Sequence, residues 1–393
     1  MSCSSTKRHP GAAKLAKKKS AETQSAVLQH DPVWQDSDWR RALRRRLQNW
    51  FSRNARDLPW RRKPTLYRVW VSEIMCQQTQ VATVIPYFER FLDAFPDIAS
   101  LAAAEEQTLL SLWEGLGYYR RARSMHAAAK KITEQHGGEF PESFEEVIDL
   151  PGIGRYTAGA ILSISRQAKL PILEGNTQRV FSRWVALRGA APVQPPANRL
   201  LWEIAETLLP NKRPGDFNQA SMELGAMVCT PKQPACDICP VRGLCAAQGR
   251  GLTAEIPGKL SKIKYEDRTE FALVIAQAMG DGERRFLVRQ IPAGGRWEGL
   301  WDFPRLTEDA LGSADQAALQ LSRELGVSVA AGSRLALIRH SVTRYRISLQ
   351  VHEAPLADPS DPPAEPWKYC SLTEIEQLPM SVTGRQIAKM LGS

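Results

Sequence analysis

The stretch that most constrains this chain is residues 150–181, LPGIGRYTAGAILSISRQAKLPILEGNTQRVF. Gly152 and Gly154, with Ile153 between them, specify a turn that needs positive φ and close backbone approach. Tyr156, Ala160, Ile161 and Ile164 then recur at helical spacing. A glycine turn opening straight into a helix leaves the first N–H groups unpaired and aimed outward, which suits a phosphate. The same pattern would serve an ordinary helix–turn–helix corner. Two features favour the anion reading: a lone acid, Glu174, between Pro171 and Gly175, and a cysteine cluster downstream.

That cluster is Cys229, Cys236, Cys239 and Cys245, spaced C-x6-C-x2-C-x5-C with no histidine among them. Such thiolates hold either a tetrahedral zinc or an iron–sulfur cluster, and spacing alone does not choose. The chain has seven cysteines. An odd total, with no apolar signal segment in residues 1–30, argues for a reducing compartment rather than a disulfide framework. Net charge is +10, but residues 269–393 carry −2, so the first two-thirds of the chain holds +12 and faces a polyanion. No apolar run is long enough for a membrane span, so no membrane partner is expected.

Residues 1–35 read as a basic disordered tail. Helical periodicity starts at Trp39, Leu43, Leu47, Trp50 and Phe51, with arginines on the opposite face. It continues over 66–80, 83–95, 106–113, 120–136, 142–149, 155–166, 176–187, 198–208 and 216–228, which gives an all-α body over 36–250. Arg56-Asp57-Leu58-Pro59-Trp60-Arg61 reads as a polar loop, and 251–268 as a linker. The period then changes. Phe271–Met279, a turn at Asp281-Gly282 and Arg285–Gln290 form a hairpin, Tyr345–Val351 alternates as a strand, and 313–325 is helical. Residues 269–393 are therefore a separate α+β domain.

Glu73 lies in VWVSEIMCQQTQV, an apolar and amide-rich helix. Partial desolvation there raises a carboxyl's pKa and lets it hold a proton near neutrality. With Glu174 it makes a carboxylate pair drawn from two helices, as acid-assisted glycosidic cleavage requires. Tyr118, in GLGYYRRAR, combines an aromatic with flexible glycines and arginines, a combination that suits wedging into a base stack, while Tyr119 reads as core.

Taken in order, SEIMCQQTQVATVIPYFERF, GLGYYRRARSMHAAAK, LPGIGRYTAGAILS, Glu174-Gly175-Asn176 and the cysteine spacing resemble the A/G-specific adenine DNA glycosylases of the helix-hairpin-helix superfamily. The match is dense over 39–250 and looser in the C-terminal domain. The resemblance implies a helix-hairpin-helix body with a [4Fe–4S] loop over 229–245 and a Nudix-like domain that reads the opposite 8-oxoguanine. It implies Glu73 as general acid, with Glu174, Tyr156 and Asn176 beside the sugar. Arg56, Leu58, Trp60, Arg61 and Gln219 would line the adenine pocket. Gln78 and Tyr118 would enter the duplex, and Gly152, Ile153 and Gly154 would hold its backbone. Cys229, Cys236, Cys239 and Cys245 would be the cluster ligands.

Two departures stand out. The family has Asp where this chain has Glu174, a methylene longer, and such an offset of about 1 Å can cost about 10²-fold in rate. Where the family has Phe-Ser-His, His340-Ser341 is followed here by Val342-Thr343-Arg344, which trades base contact for phosphate contact. Arg323-Glu324-Leu325-Gly326-Val327 echoes a Nudix box without its paired metal-binding glutamates, so pyrophosphate hydrolysis is not expected. The expected protein is a monomeric, monofunctional glycosylase acting on duplex DNA with A:8-oxoguanine or A:G mispairs. Its expected location is the cytoplasm, at the nucleoid in a bacterium, or the nucleus or mitochondrion in a eukaryote. The rivals are an endonuclease III-like glycosylase/lyase, which needs a lysine where this chain has Tyr156, and a non-catalytic iron–sulfur DNA-binding protein.

Overall fold

The computed structural model describes residues 28–260, 264–278, 283–307, 312–356 and 365–392. The N-terminal body is helical throughout. Its elements are α1 (Ser37–Asn54), α2 (Pro59–Arg62), α3 (Leu66–Cys76), α4 (Val81–Ala94), α5 (Ile98–Ala103), α6 (Glu106–Trp113), α7 (Arg120–Gln135), α8 (Phe144–Ile148), α9 (Arg155–Arg166), α10 (Gly175–Trp184), α11 (Pro195–Leu208), α12 (Pro214–Met227) and the short α13 (Ala246–Gly249). Helix α1 shows how the pattern becomes structure. Asp36 caps it by accepting from the amides of Asp38 and Trp39, and Leu43 and Leu47 are fully buried. Each such leucine contributes about 1.5–3 kcal/mol of burial. Arg44, at the edge of this buried stripe, donates to the carbonyls of Thr207, Leu208 and Leu209 at the end of α11.

Two apolar cores divide this body. One gathers around Trp70, Phe88, Phe91 and Trp113 from α3, α4 and α6. The other gathers around Phe181, Trp184, Leu201 and Phe217 from α10, α11 and α12, and takes in Leu43 and Leu47 of α1. A cleft between two separately packed cores can be lined by polar side chains without disturbing either one.

Three expectations are corrected here. The tail expected over 1–35 lies outside the described residues as far as residue 27, but residues 28–35 are packed. Gln29 bridges to Arg188, Pro32–Gln35 forms a 3₁₀ turn, and Trp34 is buried. The Arg56–Arg61 segment is not all loop, because Pro59, which fits the first turn of a helix, starts α2. The linker expected over 251–268 begins later. Ile256 is buried, and its carbonyl accepts from Arg183 Nε (2.8 Å), so the chain is still packed on the helical body there.

The C-terminal domain holds β1 (Glu266–Val274), β2 (Ala276–Ala278), β3 (Arg284–Gln290), β4 (Trp301–Asp302), β5 (Arg305–Leu306), α14 (Ala314–Leu325), β6 (Arg334–Val342), β7 (Tyr345–Glu353), β8 (Trp367–Cys370), α15 (Leu372–Gln377) and α16 (Val382–Leu391). One sheet runs β5-β1-β7-β6, with β1 and β7 parallel; the other runs β2-β3-β4, with β8 also paired to β3. The described part of the apolar run, residues 271–278, is therefore split between two sheets, and Met279 lies outside the described residues. Phe271, Leu273 and Ile275 face the core under α14, while Ala272 and Val274 face the core under α16. A strand covered on both faces reads as a continuous apolar run, which concealed the break. The hairpin survives as β2 pairing antiparallel with β3; its Asp281-Gly282 turn lies outside the described residues.

Candidate active site

The cleft between the two cores is a cavity of about 820 Å³, and both acids singled out from the sequence line it. Glu73 comes from the middle of α3, where Val71, Ile74 and Met75 are buried around it. Its Oε2 accepts from the Tyr156 hydroxyl at 2.6 Å. Burial pushes its carboxyl up to about 7, the Tyr156 hydrogen bond pulls it back, and the charge of Glu174 raises it further. Tyr156 is pushed well above the ordinary phenol range by burial beside both acids, so it stays a donor.

Glu174 is held differently. It is the N-cap of α10: Oε1 accepts from Thr177 N (2.8 Å), and Oε2 accepts from Asn176 N (2.8 Å) and Asn176 Nδ2 (3.2 Å). Thr177 Oγ1 accepts from Glu174 N (2.8 Å) and completes a reciprocal box. Glutamate is not a favoured N-cap. Its extra methylene lets the side chain fold back over the helix end, so the added length does not simply push the carboxylate outward. Burial raises its carboxyl, opposed by the amides of Asn176 and Thr177 and by the charge of Arg179. When one proton is shared between two such acids, it belongs on the acid with fewer donors. That acid is Glu73.

Asn176 is fixed by donating to Glu174 and accepting from Arg179 Nη2 (2.8 Å). Helix α12 approaches it so closely that a Cβ on Gly225 would lie 2.6 Å from the Asn176 Cβ. Leu58, Trp60, Arg56 and Arg61 all line the cavity. The two arginines are not free, however. Arg56 and Arg61 each make a bidentate pair with Glu223, which is 1% exposed and held down to about 2 by them against its own burial. They wall the pocket instead of offering loose donors. Gln219 is not among the cavity-lining residues; Met222, Glu223 and Ala226 represent α12 there. Glu223 went unnoticed, although a lone acid in SMELGAM is the same signal that singled out Glu73.

Gln78 lies at the cavity mouth and Tyr118 on the next loop, both exposed and both left-handed (φ 54° and 49°). Non-glycine residues hold that conformation only where the surroundings impose it. The imposing group is Arg121, also missed from the sequence. Its guanidinium donates to the carbonyls of Ile74, Met75 and Gln77 on one side. On the other it donates to Thr79 Oγ1 and the carbonyls of Leu116 and Gly117. Of the two hairpin glycines, Gly152 behaves as the sequence implies and Gly154 does not, since its φ is −104° and nothing lies within 4 Å of an added Cβ. Gly152 has φ +79°, and a Cβ there would lie 2.6 Å from Ser124 Cβ. Gly154 opens α9 without a side-chain cap. Ile153 is buried in the core, so only its backbone is available outside.

The four cysteines carry no disulfide and line one cavity against Trp184, Leu224 and Val228. Among the described residues, no three His, Cys, Asp or Glu converge as a single metal ion needs. Four thiols lining one cavity, with no histidine among its lining residues, fit a thiolate-bound iron–sulfur cluster. Arg183 donates to Cys229 Sγ (3.3 Å) and to the Thr230 carbonyl (2.8 Å), which supplies positive charge to thiolate ligands. In the C-terminal domain, Val342-Thr343-Arg344 forms the tip of the β6–β7 hairpin. Arg344 there is exposed and pairs with Glu266 (3.2 Å).

Residues 71–206 match the model of HhH-GPD superfamily base excision DNA repair proteins. Residues 229–245 match the iron-sulfur binding domain of endonuclease III, and 274–390 a NUDIX domain. The adenine DNA glycosylase of Mus musculus is 35% identical over 90% of this chain and 79% of that protein. The adenine DNA glycosylase of Rattus norvegicus is 36% identical over 78% of this chain and 68% of that protein. Among solved structures, a thermostable thymine-DNA glycosylase superposes with a TM-score of 0.50 at 25% identity, covering 54% of this chain and 98% of that one.

Proposed function

The chain belongs to the adenine DNA glycosylases of the HhH-GPD superfamily, and on that premise we propose that it removes adenine paired with 8-oxoguanine or guanine in duplex DNA, leaving an abasic site. The observation that carries the mechanism is the asymmetry of the two acids. Glu73 is buried with one donor and a carboxyl near 7, while Glu174 has three donors at a helix N-terminus. Acids whose environments separate them in this way divide the work. Glu73, its Oε2 held by Tyr156, presents its proton to a ring nitrogen of the flipped adenine as the base departs. Glu174 and Asn176 lie where positive charge develops on the sugar, and Glu174 opposes that charge from a fixed position. Water then completes hydrolysis.

Leu58 and Trp60 wall the base pocket, and the Glu223 pair with Arg56 and Arg61 keeps that wall rigid. Gln78 and Tyr118 fill the space the adenine leaves. The amides of the Gly152–Gly154 turn hold a phosphate, and the C-terminal domain faces the opposite base. A Schiff-base lyase needs a lysine amine, and no described cavity-lining residue is a lysine. The protein is read as a monomer working where the genome is kept.

The test is a single-turnover assay on A:8-oxoguanine and A:G duplexes, followed by alkali to cut abasic sites. Strand cleavage only after alkali is the expected result. Cleavage without alkali would support the lyase, and no adenine release would refute the reading.

The chain carries a [4Fe–4S] cluster, which Cys229, Cys236, Cys239 and Cys245 would hold. Bound there, it would tie the 229–245 loop against α10 and α12, whose Trp184 and Leu224 line the same cavity, a structural contribution. Cys239→Ala is expected to lose the brown colour and weaken duplex binding about tenfold or more, the range for a disrupted metal shell. The rate at saturating enzyme should change less, because the thiols do not themselves line the catalytic cavity and reach it through Arg179, which donates to the Cys229 carbonyl (2.8 Å) and to Asn176 Oδ1 (2.8 Å). Equal losses in binding and saturated rate would show that the loop shapes the catalytic cleft itself.

A further inference from the structure

Helix α6 ends at Trp113 with Glu114 as its C-cap, and the Gly115–Tyr118 loop follows at once. The Glu114 carboxylate is held by the other domain. Arg385 on α16 donates Nε to Oε1 (2.7 Å) and Nη2 to Oε2 (2.9 Å), and the Met380 amide donates to Oε2 (3.0 Å). Arg385 is fixed in turn by donating to the carbonyls of Ile375 (2.9 Å) and Leu378 (2.6 Å). The rest of α6 makes the same junction. Gln107 donates to the Gly299 carbonyl and accepts from Trp301 Nε1, both at 3.0 Å. Leu300 of the C-terminal domain is fully buried in the helical body's first core.

Beneath the loop, Tyr87 donates its hydroxyl to the Glu114 carbonyl (2.8 Å), and Arg121 holds the carbonyls of Leu116 and Gly117. The loop is therefore pinned from three sides, and one pin comes from the other domain. A bidentate arginine–carboxylate pair with both side chains about one-fifth exposed is also more specific than a solvated surface pair. Arg121 carries the constraint onward, because the guanidinium that holds the Tyr118 loop also holds the turn bearing Gln78.

We propose that Glu114 is a positioning residue through which docking of the C-terminal domain sets the Tyr118 loop. Intrusion into the duplex, and with it the rate of adenine removal, then depends on the domain that faces the opposite base. This rests on the glycosylase reading above.

The test compares the full-length wild type with Glu114→Ala, Arg385→Met and the double variant. Hydrogen exchange in the free protein is the first readout. Arg385→Met, although in the other domain, should speed exchange at residues 115–121 about tenfold, as Glu114→Ala does, and leave α9 unchanged. Single-turnover rates are the second. Each single variant should slow adenine release opposite 8-oxoguanine roughly tenfold, and the double variant no more than either, since both remove one interaction. Release opposite guanine should fall less. Unchanged exchange at 115–121 in Arg385→Met would overturn the proposal, as would losses that multiply in the double variant. A wild type that releases no adenine would instead refute the glycosylase reading, with exchange still deciding whether the junction holds the loop.

Discussion

Replacing Glu73 with Gln should leave duplex binding intact and reduce single-turnover adenine release at least a hundredfold, within the 10²–10⁴ range for general acid catalysis. Gln keeps the size and the acceptor for Tyr156 but has no proton to transfer. A rate within a few-fold of wild type would remove Glu73 from the acid role. The wild-type pH profile tests the same point independently. Burial holds the Glu73 carboxyl near 7, so kcat/KM should fall as pH rises through that value, because the ionised form cannot donate, and fall again on the acid side once Glu174, whose own carboxyl burial also raises, takes up a proton. Stability should move with it. The ordinary carboxyl near 4.5 is raised in the folded protein, so the folded state holds this proton more tightly than the unfolded chain. The resulting stability is present below about 4.5 and lost as pH rises through about 7, a change on the order of 3 kcal/mol. Glu73→Gln should therefore melt higher than wild type at pH 8 and lose that advantage at pH 4. A variant that melts lower at pH 8 would mean that the buried acid is not strained by ionisation.

The sequence carried this much because the acid's signal is local. Val71, Ile74 and Met75 on either side of Glu73 mark a helix that is covered on every face, so the carboxylate between them must be covered as well. The glycine turn at 152–154, the cysteine spacing and the Tyr118 loop are local in the same sense. What escaped depends on partners far apart in the chain. Glu223 is 167 residues from Arg56, so nothing near either one announces that the guanidinium is already occupied. Arg121 sits in an arginine-rich run, where solvated and buried arginines look alike until its six acceptors are in place. Gln219 was placed in the pocket by resemblance, while the helix directs Glu223, one turn on, into the cavity. The split of the run after Val274 was hidden because both faces of residues 271–275 are buried.

The departure at Glu174 shows the same limit and is the most informative position to change. Length alone suggested that the carboxylate is displaced outward by about 1 Å relative to aspartate. The structure shows it bound back onto the first turn of α10 by Asn176 and Thr177, with Gly225 allowing α12 to close over Asn176. A carboxylate held in this way is already oriented before positive charge appears on the sugar, which is how fixed groups lower a barrier. Glu174→Gln keeps an acceptor for the cap but removes the charge. It should slow adenine release about 10²–10³-fold with little loss of duplex affinity, the scale for removing one preorganised electrostatic group. Glu174→Asp should cap α10 at least as well, because aspartate is the better N-cap. Any change in its rate therefore reports where the charge sits rather than whether the helix end is intact. If the cleft is built around the longer side chain, shortening it retracts the charge and slows release by roughly tenfold to a hundredfold. A faster Glu174→Asp enzyme would show that the glutamate is a handicap in an otherwise ordinary member of the family. An unchanged rate for Glu174→Gln would leave the residue as a helix cap alone. The slower outcome is expected, because Glu73, Tyr156 and Asn176 are all held by specific hydrogen bonds around this carboxylate, and a cleft fitted to aspartate would have no reason to hold glutamate with three donors.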